Sequence, residues 1–168
     1  MDLFFLRHAK AYDRSPKFRP DSTRPLTPAG EEEMRKVARG IKRLDIEFDL
    51  ILTSPYVRAA RTAEIFHEIV KWGKLQATEA LASTAELAAI VHDIETKHSK
   101  AESIVLVGHE PHMSSLMSLL MSGRSDISID FKKAGFAKFC IDELKAGKCA
   151  CLKWLMTPKQ LSRLAKRE

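Results

Sequence analysis

Apolar and polar residues along this chain fall into blocks of two kinds. Asp2-Leu3-Phe4-Phe5-Leu6 places four large apolar residues in succession and stops abruptly at Arg7-His8. Asp49-Leu50-Ile51-Leu52-Thr53 and Ser103-Ile104-Val105-Leu106-Val107-Gly108 have the same character. Short continuous apolar runs between polar residues predict strands covered on both faces, as in a parallel sheet. Between these runs the spacing becomes helical. Met34, Val37, Ala38, Ile41 and Leu44 predict a helix from Pro28 to about residue 45. Thr27 is its N-cap, Pro28 suits its first turn, and Glu31 to Glu33 favour the positive end of its dipole. Ala60, Ala63, Phe66, Ile69 and Val70 predict a second helix over 56–71, stopped by Trp72-Gly73. Leu87, Ile90, Val91 and Ile94 predict a third, and Ser83-Thr84-Ala85-Glu86 before them matches a capping box. Met113, Leu116, Met117 and Leu120 predict a fourth, opened by Glu110-Pro111 and closed by Gly123. Residues 75–81 read as a short strand or an extended crossing, 136–141 and 149–155 as a hairpin, and Thr157-Pro158 as the start of a last helix. The alternation gives an α/β fold class: a single three-layer α/β/α sandwich with a mostly parallel central sheet, residues 1–168 forming one domain.

Composition narrows the function more than the fold. No apolar run approaches a membrane span, and Met1 leads straight into the first strand without the pattern of a secretory signal. No membrane association and a cytoplasmic location are therefore expected. The three cysteines, Cys140, Cys149 and Cys151, are an odd set. They predict reduced thiols, with Cys149 and Cys151 as small buried residues on one side of a late strand. No second Cys/His pair has ligand spacing, so no metal site is expected. The net charge is +6, which favours an anionic partner. The basic residues are spread along the chain, however. Lys132-Lys133 is short and no basic stretch is interleaved with aromatics, so no nucleic acid partner is expected.

The candidate chemistry lies where strands end. Parallel strands deliver their following residues to one carboxyl edge, where open α/β sheets bind ligands. The first run delivers Arg7 and His8 there, the third delivers His109, and Arg58 stands just inside the helix after the second. Two guanidinium forks, two imidazoles and the N–H groups of helix starts make a receptacle for a phosphoryl dianion. Residues 11–25, polar and punctuated by Pro16, Pro20 and Pro25, read as a loop folded over that edge. From it Arg24 either reaches the phosphate or pairs with Asp21.

These segments carry a resemblance. Leu6-Arg7-His8-Ala9 resembles the Arg-His-Gly signature of the histidine phosphatase superfamily, whose fold is that of the phosphoglycerate mutases. Ser54-Pro55-Tyr56-Val57-Arg58-Ala59-Ala60-Arg61-Thr62-Ala63 resembles its Ser-Pro-x-x-Arg-Ala-x-x-Thr-Ala segment, and Val107-Gly108-His109 its Gly-His segment. Arg24-Pro25-Leu26-Thr27-Pro28-Ala29-Gly30 resembles the corresponding run of the short, SixA-type phosphohistidine phosphatases. Four motifs in the right order, across almost the whole chain, are specific where each alone is weak.

The resemblance implies that His8 attacks phosphorus and carries the phosphoryl group transiently. Arg7, Arg58 and His109 would hold the phosphate oxygens, with Arg24 as a further candidate, and water would release phosphate. It implies no metal and no cofactor, because arginines serve as the charge clamp. Attack requires a neutral His8, so its other ring nitrogen is expected to donate to a carbonyl or carboxylate. Three departures stand out. Ala9 replaces the signature glycine and would be strained at positive φ. Arg61 stands where many relatives are uncharged, and is expected to face solvent. The general acid of larger relatives has only Glu86 and Glu110 as candidates, and the capping box already accounts for Glu86. A missing acid disfavours alkyl esters but matters less for a phosphoramidate, whose imidazole leaving group is protonated before cleavage. The function expected is phosphohistidine hydrolysis on a signalling or phosphotransfer protein. The alternatives are a phosphatase of small phosphate esters and a non-catalytic module that binds phosphoproteins.

Overall fold

The computed structural model describes residues 1–166. Each continuous apolar run becomes an interior strand. The order is β1 (Asp2–Arg7), α1 (Pro28–Lys42), β2 (Leu50–Thr53), α2 (Val57–Val70), β3 (Lys74–Ala77), α3 (Leu87–Lys97), β4 (Ser103–Gly108), α4 (His112–Ser122), β5 (Phe136–Ile141), β6 (Ala150–Met156) and α5 (Pro158–Leu164). The six strands form one sheet, ordered β3-β2-β4-β1-β5-β6. β3, β2, β4 and β1 run parallel, while β5 is antiparallel to both β1 and β6. With the five α-helices of the described residues the sheet makes a mixed α/β sandwich.

Strand periodicity explains the two cores. Phe4 and Leu6 point to one face, where they pack with Met34, Val37 and Ile41 of α1, Phe66 of α2 and Leu161 of α5. Leu3 and Phe5 point to the other, against Ile90 and Ile94 of α3 and Leu116 and Leu120 of α4. All four side chains of this run are buried. Each such burial contributes about 1.5–3 kcal/mol, so β1 is the best-anchored place from which to project a reactive residue. In register, Arg7 lies opposite Gly108 on β4, and Thr53 of β2 opposite Val107. The residues that follow these three strand ends therefore emerge side by side.

The loop over this edge is pinned at its base. Ala11 bridges Leu26, and the Thr27 amide donates to the Lys10 carbonyl at 3.0 Å. Gly30 allows the approach, since a Cβ there would overlap the Lys10 carbonyl. Thr27 caps α1 as its sequence predicts, accepting from the Gly30 amide at 3.0 Å.

Three expectations need correction. The Ser83–Glu86 capping box does not form. Residues 83–85 turn instead, Glu86 itself becomes the N-cap of α3, and its side chain makes no capping hydrogen bond. Cys149 and Cys151 are not buried, because β6 is the outer strand of the sheet: Cys151 is exposed and Cys149 half-buried. Arg61 does not stand free in solvent. Its guanidinium pairs with Glu31 at 2.9 Å and with Glu64 at 3.1 Å, tying α2 to α1.

Candidate active site

The end of β1 is held from both sides. The His8 amide donates to the Gly108 carbonyl at 3.0 Å. On the opposite side the Ala134 amide donates to the carbonyls of Arg7 and His8, at 3.0 and 3.3 Å. Ala134 achieves this at φ 56°, a left-handed conformation that costs a non-glycine residue roughly 1–2 kcal/mol. Ala9, where the signature has glycine, is not among the positive-φ residues, so alanine is unstrained there. Its amide donates to Thr62 Oγ1 at 3.1 Å, and Thr62 in turn donates to the Arg58 carbonyl at 2.7 Å. The β1 end and the start of α2 are thus linked through one buried hydroxyl.

Hydrogen bonding fixes the tautomer of His8. His8 Nδ1 lies 2.8 Å from the Ala9 carbonyl. A carbonyl only accepts, so Nδ1 carries the proton and Nε2 keeps its lone pair. His109 Nε2 lies 2.8 Å from Ser54 Oγ, which itself accepts from the Tyr56 amide at 3.3 Å. The Ser54 hydroxyl can donate to that nitrogen or accept from it, and so holds the ring in either tautomer. The other nitrogen, Nδ1, is buried and has no partner among the described residues.

The two rings lie 5.2 Å apart. Tyr56 joins the group, 5.0 Å from the His109 ring and beneath the Arg58 guanidinium, which sits 5.2 Å from its centroid. Arg7 Nη1 donates to the Phe131 carbonyl at 2.6 Å, and Arg58 Nη1 to the Asp21 carbonyl at 2.9 Å. The Nε of each arginine is buried without a partner among the described residues. Buried polar atoms are rarely left unpaired, and these three, His109 Nδ1 included, belong to side chains that lie beside His8 or act on it electrostatically, an arrangement suited to an anion.

Electrostatics agree. Burial is the main force lowering the His8 pKa to about 3, and Arg58, Arg7 and Arg24 reinforce it against the Ala9 carbonyl. His109 is likewise pushed well down, first by burial and then by His8 and Arg58. Both rings are neutral at physiological pH. Burial also lowers the pKa of Arg7 and Arg58, opposed at Arg7 by Glu110 and Asp130 and at Arg58 by Asp21.

The structure therefore brings Arg7, His8, Arg58 and His109 to one edge. Arg24 is close enough to act on His8 electrostatically, but its Nε is bonded to Asp21 at 3.0 Å and its Nη1 to the Tyr12 carbonyl at 2.7 Å. Glu110 acts on Arg7, yet its carboxylate accepts from the Ser114 amide at 3.1 Å and from the Ser114 hydroxyl at 2.7 Å, capping α4. Glu86 is exposed at the start of α3. Ser54, Thr62 and Ala134 are site neighbours given no role by the sequence alone, and Asp21 is offered there only as a partner of Arg24. Ser54 and Thr62 stand within the Ser-Pro-x-x-Arg-Ala-x-x-Thr-Ala run, whereas nothing in the sequence marks Ala134.

Comparison with known proteins places this geometry. The profile of the histidine phosphatase superfamily (branch 1) matches residues 3–85, a span that contains Arg7, His8, Arg24 and Arg58 but ends before His109. An uncharacterized protein of Picosynechococcus is 35% identical over 136 residues, covering 80% of this chain and 82% of its own. The phosphohistidine phosphatase SixA of Escherichia coli is 25% identical over 163 residues, 96% of each chain. A structure of the protein histidine phosphatase SixA complexed with tungstate superimposes with a TM-score of 0.82 at 24% identity, covering 96% of this chain and 99% of that one. From strand order to residue pattern, this chain belongs to the histidine phosphatase superfamily.

Proposed function

We propose that the chain hydrolyses phosphohistidine on a protein, by way of a transient phosphoryl bond to His8. Superfamily membership and the similarity to SixA support a phosphatase; phosphohistidine as the substrate, His8 as the nucleophile and a signalling or phosphotransfer protein as the partner are the proposal. One observation carries it: the lone pair of His8 Nε2 is set by the Nδ1 bond to Ala9, in the company of Arg7, Arg58 and His109, each with a buried nitrogen unpaired among the described residues. In the first step Nε2 bonds to phosphorus as the bond to the leaving imidazole breaks. That imidazole departs neutral, having been protonated beforehand. Arg7, Arg58 and His109 meet the oxygens on which charge gathers, the largest contribution in phosphoryl transfer. Water then attacks the phosphorus of phospho-His8, the P–N bond breaks toward Nε2, and inorganic phosphate leaves as the water proton is lost to solvent. No step needs a metal.

The acid-poor surroundings favour a phosphoramidate over an alkyl ester, since Glu110 is engaged by Ser114 and Glu86 is exposed. The decisive experiment compares a phosphohistidine peptide, an aryl phosphate and an alkyl phosphate with wild-type protein and His8→Ala. The expected result is fastest release from the peptide, an acid-labile phosphoryl adduct in the wild type, and no turnover by a folded His8→Ala protein. Turnover in that variant would refute the nucleophile. Preference for the alkyl ester would make Glu86 or Glu110 the acid of a small-ester phosphatase. Binding without any adduct would indicate a phosphoprotein-binding module.

A further inference from the structure

Asp21 occupies the 3-10 turn at the tip of the 11–25 loop, and there the loop meets the pocket. Its carbonyl accepts from Arg58 Nη1 at 2.9 Å, and its Oδ2 lies 3.0 Å from Arg58 Nη2. Its Oδ1 accepts from Arg24 Nε at 3.0 Å and lies 3.6 Å from Arg14. One residue thus holds the end of the buried Arg58 guanidinium by two atoms and a neighbouring arginine by a third.

A guanidinium has two edges able to grip an oxyanion by paired N–H groups: the end, Nη1–Nη2, and the side, Nε–Nη2. Asp21 takes the end of Arg58. The Nε on its side edge is buried and unpartnered. Arg7 is arranged alike, with Nη1 tied to the Phe131 carbonyl and Nε orphaned. The difference is that Arg58 is tied by a charge. That charge also lies between Arg58 and Arg24, which otherwise repel. Burial works against the ionised carboxylate, but the Arg24 hydrogen bond and the charges of Arg58, Arg24 and Arg14 outweigh it, so Asp21 stays ionised well below neutral pH.

We propose that Asp21 is a positioning residue for phosphoryl transfer: its carboxylate fixes Arg58 end-on, so that the Nε edge is aimed at the oxygens of the transferring group. The assignment to a reaction rests on the phosphatase reading, while the grip on Arg58 does not. Because the backbone carbonyl of Asp21 survives every side-chain variant, Asp21→Asn isolates the carboxylate from the mere anchoring of the loop.

The test uses the full chain with Asp21→Asn and Asp21→Glu. It reads kcat and KM for 4-nitrophenyl phosphate, the Kd of inorganic phosphate, the thermal midpoint, and the 15N relaxation and solvent exchange of the Arg58 Nε–H, assigned with Arg58→Lys. In Asp21→Asn, kcat falls about 10- to 100-fold, as small misplacements of a clamp do, while the Kd of phosphate moves by less than about threefold. The Arg58 Nε–H becomes mobile and exchanges faster, the thermal midpoint hardly changes, and Asp21→Glu recovers part of kcat. An unchanged kcat, or an unchanged Arg58 signal, overturns the inference. If the wild-type chain turns over no phosphoryl substrate, the phosphatase reading fails separately. The Arg58 signal then decides alone: loss of its order in Asp21→Asn upholds the grip, and its persistence refutes it.

Discussion

Arg58 asks two things of one side chain. Its Nη1 end is bonded to Asp21, and its Nε is buried without a protein partner. Only a planar fork can be tied at one edge and open at another, because an ammonium is a point charge without edges. Arg58→Lys therefore keeps the charge and loses the geometry. A drop of about 10²–10³ in kcat is expected, of the size seen when one oxyanion donor is removed, and steady-state kinetics on an aryl phosphate with a matched circular dichroism spectrum would measure it. Near-wild-type turnover would mean that charge alone suffices. At this scale the sequence was legible where a residue follows a rigid run. Arg7 and His8 stand next to four buried residues of β1, so their placement follows from the strand. The neutral-His8 expectation also holds, with the Ala9 carbonyl as the acceptor. Arg24 was open between phosphate and Asp21, and Asp21 holds its Nε. Asp21 and Ala134 were illegible as site neighbours for a common reason. Both act through loop geometry, and no periodicity reports where a loop tip lands.

Close crossings between elements are the next thing the sequence conceals. Gly40 lies within the last turn of α1, where glycine is a poorer helix former than alanine. Its reason is α5: a Cβ there would overlap the Leu161 carbonyl, and Leu161 is buried in the same cluster as Ile41 and Val37. Gly40→Ala should therefore destabilise the protein by about 1–3 kcal/mol despite the gain in helix propensity, since the obstacle is backbone and cannot rotate away. Urea unfolding would show it as a lower midpoint with little change in slope. A raised midpoint would mean that α5 yields without cost. The Ser83–Glu86 capping box fails to form for a related reason. Ser83 and Glu86 have the right spacing, but the chain spends residues 83–85 on a turn and starts α3 after Glu86. Spacing predicts a cap only if the preceding backbone arrives extended. The exposure of Cys151 is hidden in the same way, since alternation along β6 reveals its pleat but not that it is the outermost strand.

Across the whole molecule, placing two imidazoles beside two guanidiniums in a buried site links stability to pH. His8 has its pKa lowered to about 3 by burial first and by the arginines second, and His109 is lowered for the same leading reason. In the unfolded chain both return to about 6.5. Above that value neither state binds the protons and the site has no effect on the pH dependence. Below it the unfolded chain takes them up while the folded one refuses, so stability falls as pH falls, from about 6.5 toward the folded values. Each histidine contributes a slope approaching about 1.4 kcal/mol per pH unit within that window. The carboxylates with lowered pKa, Asp21 and Asp93 among them, add their own loss only below the ordinary carboxylate range, so the interval between pH 6.5 and 5 belongs to His8, His109 and His112, the last also lowered chiefly by burial. Urea unfolding at pH 7, 6 and 5 should then show a progressive drop in stability, and His8→Gln, which cannot titrate, should show a shallower one. Saturating phosphate should reduce the slope as well, because a bound dianion favours the charged imidazole in the folded state and offsets the burial and the arginines together. A stability flat from pH 7 to 5 would mean that the folded protein protonates these rings as readily as the unfolded chain, and that water and counterions, rather than an orphaned pocket, surround them.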